Sequence, residues 1–540
     1  METSLASANI YWKYIESAGV TLDSDSLSRV ATSLENNSWD EPTSAIELNN
    51  VAVVALIEAE QCQEASLRGI YFEMALEALN QAVELDGHPL CAAHLALVLS
   101  MTGELQQATQ TAFSTFINIL QPAYVKEQAS PPGIVYLPPA NGYRDSRDEN
   151  FAKILQSEDG YAQSLLLLSE VLWRSQLVFY NATGLRFLHL AERVLPDDSS
   201  INVKLGISSI INNQWEGLLY LHRARTLAPD DATVLQALYL AYRDLGQMSA
   251  ANLWLSSGRD CAARRESNGN NKTPPSLDWQ WTEVEADSTV TYIPFERQIL
   301  LTVEPSLRSI VTSVLIAEGD WFEKEMEFWR SWIKPGMTVI DVGANVGVYT
   351  FSAALRVGAE GCVIAVEPFS GCVSCLEETC KINQLSWVKV RAGAASSRNG
   401  TARLALHNAS ELNEIVSSDA EETMKPGTFE EVTCFTLDSL IEGENLRQVD
   451  FLKIDAEGHE MQVLEGSNRI LTEFAPIILY ENIAGSRGSN LGVADFLTSI
   501  GYQLFRYQPY LQQLIPVYSS EDLQGSLNLI AVPDNRDINP

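Results

Sequence analysis

Met337-Thr-Val-Ile-Asp-Val-Gly343-Ala-Asn-Val-Gly347 is the stretch that decides the fold. An apolar run holding one acid, stopped by closely spaced glycines, reads as a buried strand turning into a helix. Gly343 lets the backbone approach a ligand closely, and Gly347 lets the following helix pack on the sheet. The spacing is not the dinucleotide fingerprint, so a pyrophosphate is not the implied ligand. A helix that starts here still offers free amides to an anion, and Asp341 adds an acceptor for an ammonium group.

Further apolar runs follow at 361–368, 388–392, 449–455 and 476–481, separated by stretches long enough for covering helices. Such alternation predicts a mostly parallel α/β sheet of Rossmann-like type, with ligands at the carboxyl ends of its strands. Glu367 ends the second run, 24 residues after Gly343 (367 − 343). An acid ~20 residues beyond the glycine turn is where nucleotide-binding folds accept ribose hydroxyls.

On the N-terminal side the grammar changes. Glu266-Ser-Asn-Gly-Asn-Asn-Lys-Thr-Pro-Pro275 is polar and poor in apolar residues, the mark of a linker. Before it the chain reads as helices. Ala191-Glu-Arg-Val-Leu-Pro196-Asp-Asp198 returns 33 residues later (224 − 191) as Ala224-Arg-Thr-Leu-Ala-Pro229-Asp-Asp231. A looser copy starts at Ala82. The period and the paired helices resemble tetratricopeptide repeats, although that family's usual Trp and Gly-Tyr positions are not cleanly present. Ser130-Pro-Pro-Gly-Ile-Val-Tyr-Leu-Pro-Pro139 interrupts the array and reads as a long surface loop. The predicted organisation is an all-α, repeat-like domain over 1–265, a linker over 266–285, and an α/β domain over 286–540.

Composition narrows the partners. The 540 residues carry a formal charge of −34, which repels phosphate backbones and anionic lipids, so neither nucleic acid nor membrane is expected. No window approaches the ~18 unbroken apolar residues of a membrane span, and Met1 to Val20 lack a basic start with an apolar core. A cytoplasmic location is the expectation. The eight cysteines are then reduced; Cys372, Cys375 and Cys380 share one predicted helix and find no fourth zinc ligand.

Asp341-Val-Gly-Ala-Asn-Val-Gly347, Val366-Glu-Pro368, Thr436-Leu-Asp438 and Lys453-Ile-Asp-Ala-Glu-Gly-His-Glu460 together resemble the FkbM family of methyltransferases, and Asn528-Leu-Ile-Ala-Val532 fits its final strand. The resemblance spans roughly residues 290 to 533. It implies a seven-stranded class I fold that uses S-adenosylmethionine to make O-methyl ethers on sugars, polyketides or related metabolites. On the matching positions, Asp341, Gly343 and Glu367 become cofactor contacts, and Asn345 and Gly347 belong to the same turn. Asp455, Glu457 and Glu460 become active-site candidates. Ala456 and His459 depart from the commoner form of the last block, and Ala392-Gly-Ala-Ala395 offers no polar group to the adenine.

An alcohol must lose its proton to attack a methyl group, so a base or a metal is expected. His459, with an ordinary pKa of ~6.5, suits that role near neutrality, with Asp455 as its orienting partner or as the base itself. The bland alternative is a His that only starts a surface helix. Glu460 contacts substrate or merely favours the helix dipole. Glu481, ending the fifth run, joins Asp455 and Glu457 in a cluster that would bind Mg²⁺ or sugar hydroxyls. Trp321 and Phe322 would close over the cationic sulfonium or simply pack at the domain edge. His407 and Asn408 would reach the acceptor or stand in a plain loop. Two other readings stay open: a peptide or protein methyltransferase whose repeats hold a peptide- or carrier-linked acceptor, and a non-catalytic scaffold.

Overall fold

A computed structural model describes residues 2–86, 88–119, 132–138, 151–152, 154–156, 160–174, 182–194, 196–268, 277–407, 413–415, 429–483, 489–520 and 522–536. The chain divides into two compact units, Met1–Ser208 with Gln508–Leu511, and Ser209–Tyr507 with Gln512–Pro540. Among the described residues no helix is long and apolar enough to cross a membrane.

The first unit is helical: α1 (Glu2–Ser17), α2 (Ser24–Glu35), α3 (Ala45–Gln61), α4 (Ala65–Asp86), α5 (Pro89–Met101), α6 (Leu105–Ile119), α7 (Gly160–Arg174), α8 (Ala182–Val194) and most of α9 (Ser199–Ile211), within which the boundary falls. The Pro-rich segment runs against the sequence expectation. Of residues 130–139, those at 132–138 are described, and Ile134, Val135, Tyr136 and Leu137 are buried in the core instead of lying on the surface. Side chains serve much of their backbone, whose buried polar groups need partners. Tyr11 Oη donates to Val135 O (3.0 Å) and accepts from Val135 N (3.1 Å), and Tyr14 does the same with Leu137 O and N (2.7 and 3.0 Å). Asn49 Nδ2 donates to Ile134 O (3.0 Å), and Asn50 Oδ1 accepts from Ile134 N (3.0 Å). His94 Nε2 takes Tyr136 N–H at 3.2 Å while its Nδ1 lies 2.7 Å from Asn49 Oδ1. Burial drives the His94 pKa down to about 3, so the ring is neutral and Nδ1 carries the proton.

Asn49 therefore serves a buried carbonyl and a buried imidazole at once. Asn49→Ala is expected to lower stability by about 2–3 kcal/mol, because both partners stay buried and unpaired. Urea unfolding with an unchanged midpoint would refute that.

The second unit begins with α10 (Gly217–Leu227), α11 (Ala232–Asp244) and α12 (Met248–Asn268). The repeated Pro-Asp-Asp does one job in both copies: Asp198 Oδ1 accepts from Ile201 N (2.9 Å) and Asp231 Oδ1 from Val234 N (3.0 Å), capping the helix that follows. Of the polar linker stretch 266–275, residues 269–275 lie outside the described residues. Next comes an antiparallel hairpin, β1 (Thr291–Phe295) and β2 (Ile299–Val303), turned by Glu296 and Arg297 at φ 50° and 55°. Helices α13 (Ile310–Glu318) and α14 (Glu325–Trp332) lead to the main sheet.

That sheet contains β3 (Thr338–Val342), β4 (Cys362–Glu367), β5 (Val388–Ala392), β10 (Phe451–Ile454), β11 (Ile477–Glu481), β12 (Tyr502–Gln508), β13 (Gln513–Pro516) and β14 (Asn528–Pro533). Their order is β13-β12-β14-β11-β10-β3-β4-β5. The five neighbouring strands β11, β10, β3, β4 and β5 run parallel, and β14 is antiparallel to both β11 and β12. Seven strands match the implied class I sheet, and β13 adds an eighth at the edge. Helices α15 (Val348–Val357), α16 (Ser370–Ile382), α17 (Leu437–Gly443), α18 (Glu460–Glu465) and α19 (Leu491–Ser499) follow the strands, and α16 carries Cys372, Cys375 and Cys380, all free thiols. Strands β6 (Ala394–Ala395), β7 (Gly400–Ala405), β8 (Glu414–Ile415) and β9 (Phe429–Phe435) form a second small sheet. The chain leaves β3 toward β4 on one side and returns through β10 on the other. A crevice at such a switch point is where open α/β sheets bind ligands.

Candidate functional site

Three neighbouring parallel strands deliver acids to one end of the sheet: Asp341 within β3, Glu367 closing β4, and Asp455 immediately after β10. Gly343, at φ +73°, starts the turn after β3, and its N–H and that of Ala344 both donate to Val366 O (3.0 and 3.1 Å). An added Cβ at Gly343 would lie 1.7 Å from Asp455 O, so glycine is required by the crossing of two strand ends. Asn345 is also left-handed (φ +49°); its N–H donates to Glu367 Oε2 at 2.8 Å, and its Oδ1 accepts from Val346 N at 2.7 Å. Gly347, at φ +97°, sits before α15, where a Cβ would press on Phe351 and Leu376 side chains.

Glu367 is buried, and its Oε1 accepts from Phe369 N at 2.8 Å. Burial lifts its carboxyl to about 7 against the pull of those two amides. Each oxygen keeps a further lone pair for a ligand hydroxyl. Asp341 is wholly buried; Thr350 Oγ1 donates to its Oδ2 at 2.6 Å, while Oδ1 accepts no hydrogen bond from the described residues. Burial raises its pKa, and Lys453 works against that rise.

Lys453 is the residue that sequence reasoning quoted but gave no role. It stands inside the apolar β10, where a Lys between Leu452 and Ile454 is the signal that was available. Its Nζ donates to Asp455 Oδ2 at 2.8 Å, lies 3.9 Å from Asp341 Oδ1, and sits 4.7 Å from the Tyr349 ring centre. Burial opposes its charge, but Asp455, Asp341 and Glu323 together outweigh it and hold the ammonium charged. Glu323 is a second unassigned member: its Oε2 accepts from Tyr349 Oη (2.5 Å) and Asn528 Nδ2 (2.9 Å). Trp321 packs on Phe322 with ring centres 4.8 Å apart, and burial raises the neighbouring Glu323 carboxyl, a rise that Lys453 opposes.

Beyond β10 the chain makes a left-handed turn through Glu457 and Gly458 (φ +47° and +87°). Asp455, Glu457 and Glu481 converge there, with one oxygen of each inside a 4.8 Å circle. Burial, then the charges of Asp455, Glu457 and Glu460, push the Glu481 carboxyl up to about 10. Glu460 faces inward: its Oε1 accepts from Ala456 N (3.2 Å) and Gly458 N (2.9 Å), and its Oε2 from Asn490 Nδ2 (3.2 Å). The carboxylate holds the turn in shape. His459 pairs with Ser396, Nε2 to Oγ at 3.0 Å, and burial lowers its pKa. Among the described residues no hydrogen bond joins His459 to Asp455. His407 has an exposed side chain at the end of β7, and its N–H donates to Asn413 Oδ1. Asn408 lies outside the described residues.

The strand order and the acid-tipped crevice beside β3 are those of an open, Rossmann-like α/β domain with its ligand crevice at the switch point. Residues 341–504 match the family model described as the Methyltransferase FkbM domain. Among solved structures the chain is similar to the FkbM methyltransferase of Methylobacillus flagellatus KT, with 15% identity and a TM-score of 0.25. That similarity covers 42% of this chain and 54% of the other, so the chain spans about half the length of that relative. A SAM-dependent methyltransferase from Aquifex aeolicus matches at 15% identity, 39% of this chain, 87% of that one, and TM-score 0.22. Precorrin-6y C5,15-methyltransferase from Geobacter metallireducens GS-15 matches at 9% identity, 38% and 84% coverage, and TM-score 0.22. No curated protein matches the chain.

Proposed function

We propose that this protein transfers the methyl group of S-adenosylmethionine to an acceptor hydroxyl on a sugar or secondary metabolite. The reading is carried by the convergence of Asp341, Glu367 and Asp455 at the carboxyl ends of three adjacent parallel strands. Glu367 accepts both ribose hydroxyls, and the glycine turn from Gly343 to Gly347 receives the methionine carboxylate. The open Oδ1 of Asp341 takes the cofactor's ammonium. The acceptor oxygen attacks the methyl carbon as the carbon–sulfur bond breaks, its electron pair staying on sulfur in S-adenosylhomocysteine. The hydroxyl proton passes to a base. His459, kept neutral by burial and oriented by Ser396, fits that role, with Asp455 as the alternative. A peptide- or carrier-linked acceptor held by the N-terminal helices belongs to the same proposal.

Calorimetric titration with S-adenosylmethionine and S-adenosylhomocysteine tests the reading. Wild type should bind both, and Glu367→Ala and Asp341→Ala should each lose about tenfold or more in affinity. Absence of binding by the folded wild type would overturn it. Because Glu367 releases its proton near pH 7, affinity should climb as pH rises through that value, and Glu367→Gln should flatten the climb.

A further inference from the structure

The acids beyond β10 and β11 do not share one fate. Glu460 spends its carboxylate on Ala456, Gly458 and Asn490. Glu481 is only 8% exposed, yet among the described residues its Oε2 has no hydrogen-bond partner. That oxygen belongs to the side chain that meets Asp455 and Glu457 within the 4.8 Å circle. Buried polar atoms are almost always paired, so an orphan oxygen on a buried carboxylate that joins an acidic cluster marks a missing partner.

Among the described residues, the acids Asp455, Glu457, Glu481 and Glu460 gather here beside one ammonium, that of Lys453, whose nearest oxygen is Asp455 Oδ2 and which also neighbours Asp341. Hard oxygen donors supplied from two adjacent strand ends and one tight turn are the set that small divalent cations prefer. We propose that Asp455, Glu457 and Glu481 bind a divalent cation of the Mg²⁺ or Mn²⁺ type. The site deepens the methyl-transfer reading: a cation here would take the acceptor oxygen as a further ligand and loosen its proton. The cluster would then select acceptors with a free hydroxyl, and adjacent hydroxyls would chelate best.

Mn²⁺ alone is the probe, added to the full chain without cofactor and followed by electron paramagnetic resonance and calorimetry. A surface with a formal charge of −34 collects cations diffusely, so Glu473→Gln, an exposed acid, is the control. Glu481→Gln and Asp455→Asn are near-isosteric, and Glu457→Gln gives a third variant at a partly exposed position. The expected result is saturable binding that falls about tenfold or more in each site variant and is unchanged in the control. Equal binding by all five proteins, or none by wild type at roughly millimolar Mn²⁺, would overturn the site. Cofactor titration is read separately. Cofactor binding without Mn²⁺ binding sinks the cation site alone, and Mn²⁺ binding without cofactor binding sinks the methyl-transfer reading alone.

Discussion

Gly343→Ala is expected to lose S-adenosylmethionine binding and to lower stability by about 3–5 kcal/mol. Two costs combine at this position. The backbone is left-handed at φ +73°, which an alanine tolerates poorly. The added Cβ would also meet the carbonyl of Asp455 at 1.7 Å, and a backbone oxygen cannot swing aside as a side chain can. The ends of β3 and β10 must separate, although the ladder from Phe451↔Val339 to Ile454↔Val342 ties them together. Separation would displace Asp455 and the turn amides at once. Gly347→Ala is a useful contrast: it shares the left-handed strain at φ +97°, but the atoms nearest its Cβ belong to the Phe351 and Leu376 side chains, which can shift. Urea unfolding and cofactor calorimetry check both; a Gly343→Ala protein that melts and binds like wild type would contradict the close approach.

Glu296→Ala should cost about 3–5 kcal/mol, measured by the same unfolding experiment. Glu296 is fully buried at the turn of the β1–β2 hairpin. Its Oε1 accepts from Arg330 Nε and Ser352 Oγ, both at 2.7 Å, and its Oε2 from Arg356 NH1 at 2.8 Å. Removing the carboxylate leaves two mostly buried guanidinium groups with reduced compensation. Arg330 keeps Asp320 at 2.5 Å, and Arg356 keeps Ser352 O at 2.7 Å, which limits the loss. Glu296→Gln retains the shape without the charge and should fall between. An unchanged midpoint for Glu296→Ala would show that the network contributes nothing to folding.

The parallel strands were legible because strands covered on both faces read as near-continuous apolar runs. The runs read at 337–343, 361–368, 388–392 and 476–481 each contain an observed strand, and 449–455 contains Phe451–Ile454. The glycine turn was legible for the same kind of local reason, since positive φ and close approach leave few other residues possible. Local chemistry misled at 130–139. Proline and glycine punctuation predicts a surface loop, but Tyr11, Tyr14, Asn49, Asn50 and His94 supply the hydrogen bonds that let 134–137 go inside.

By itself, then, the sequence determined which segments become strands and which acids stand at their carboxyl ends, because both depend on neighbours within a few residues. Only the tertiary structure decided what each acid is free to do. Glu460 and Glu481 look alike in the chain, yet one is filled by turn amides and the other is left open. Likewise His459 finds Ser396, 63 residues away, instead of nearby Asp455, which Lys453 takes. Hydrogen-bond partners are chosen by position in space, and local periodicity carries no record of that choice.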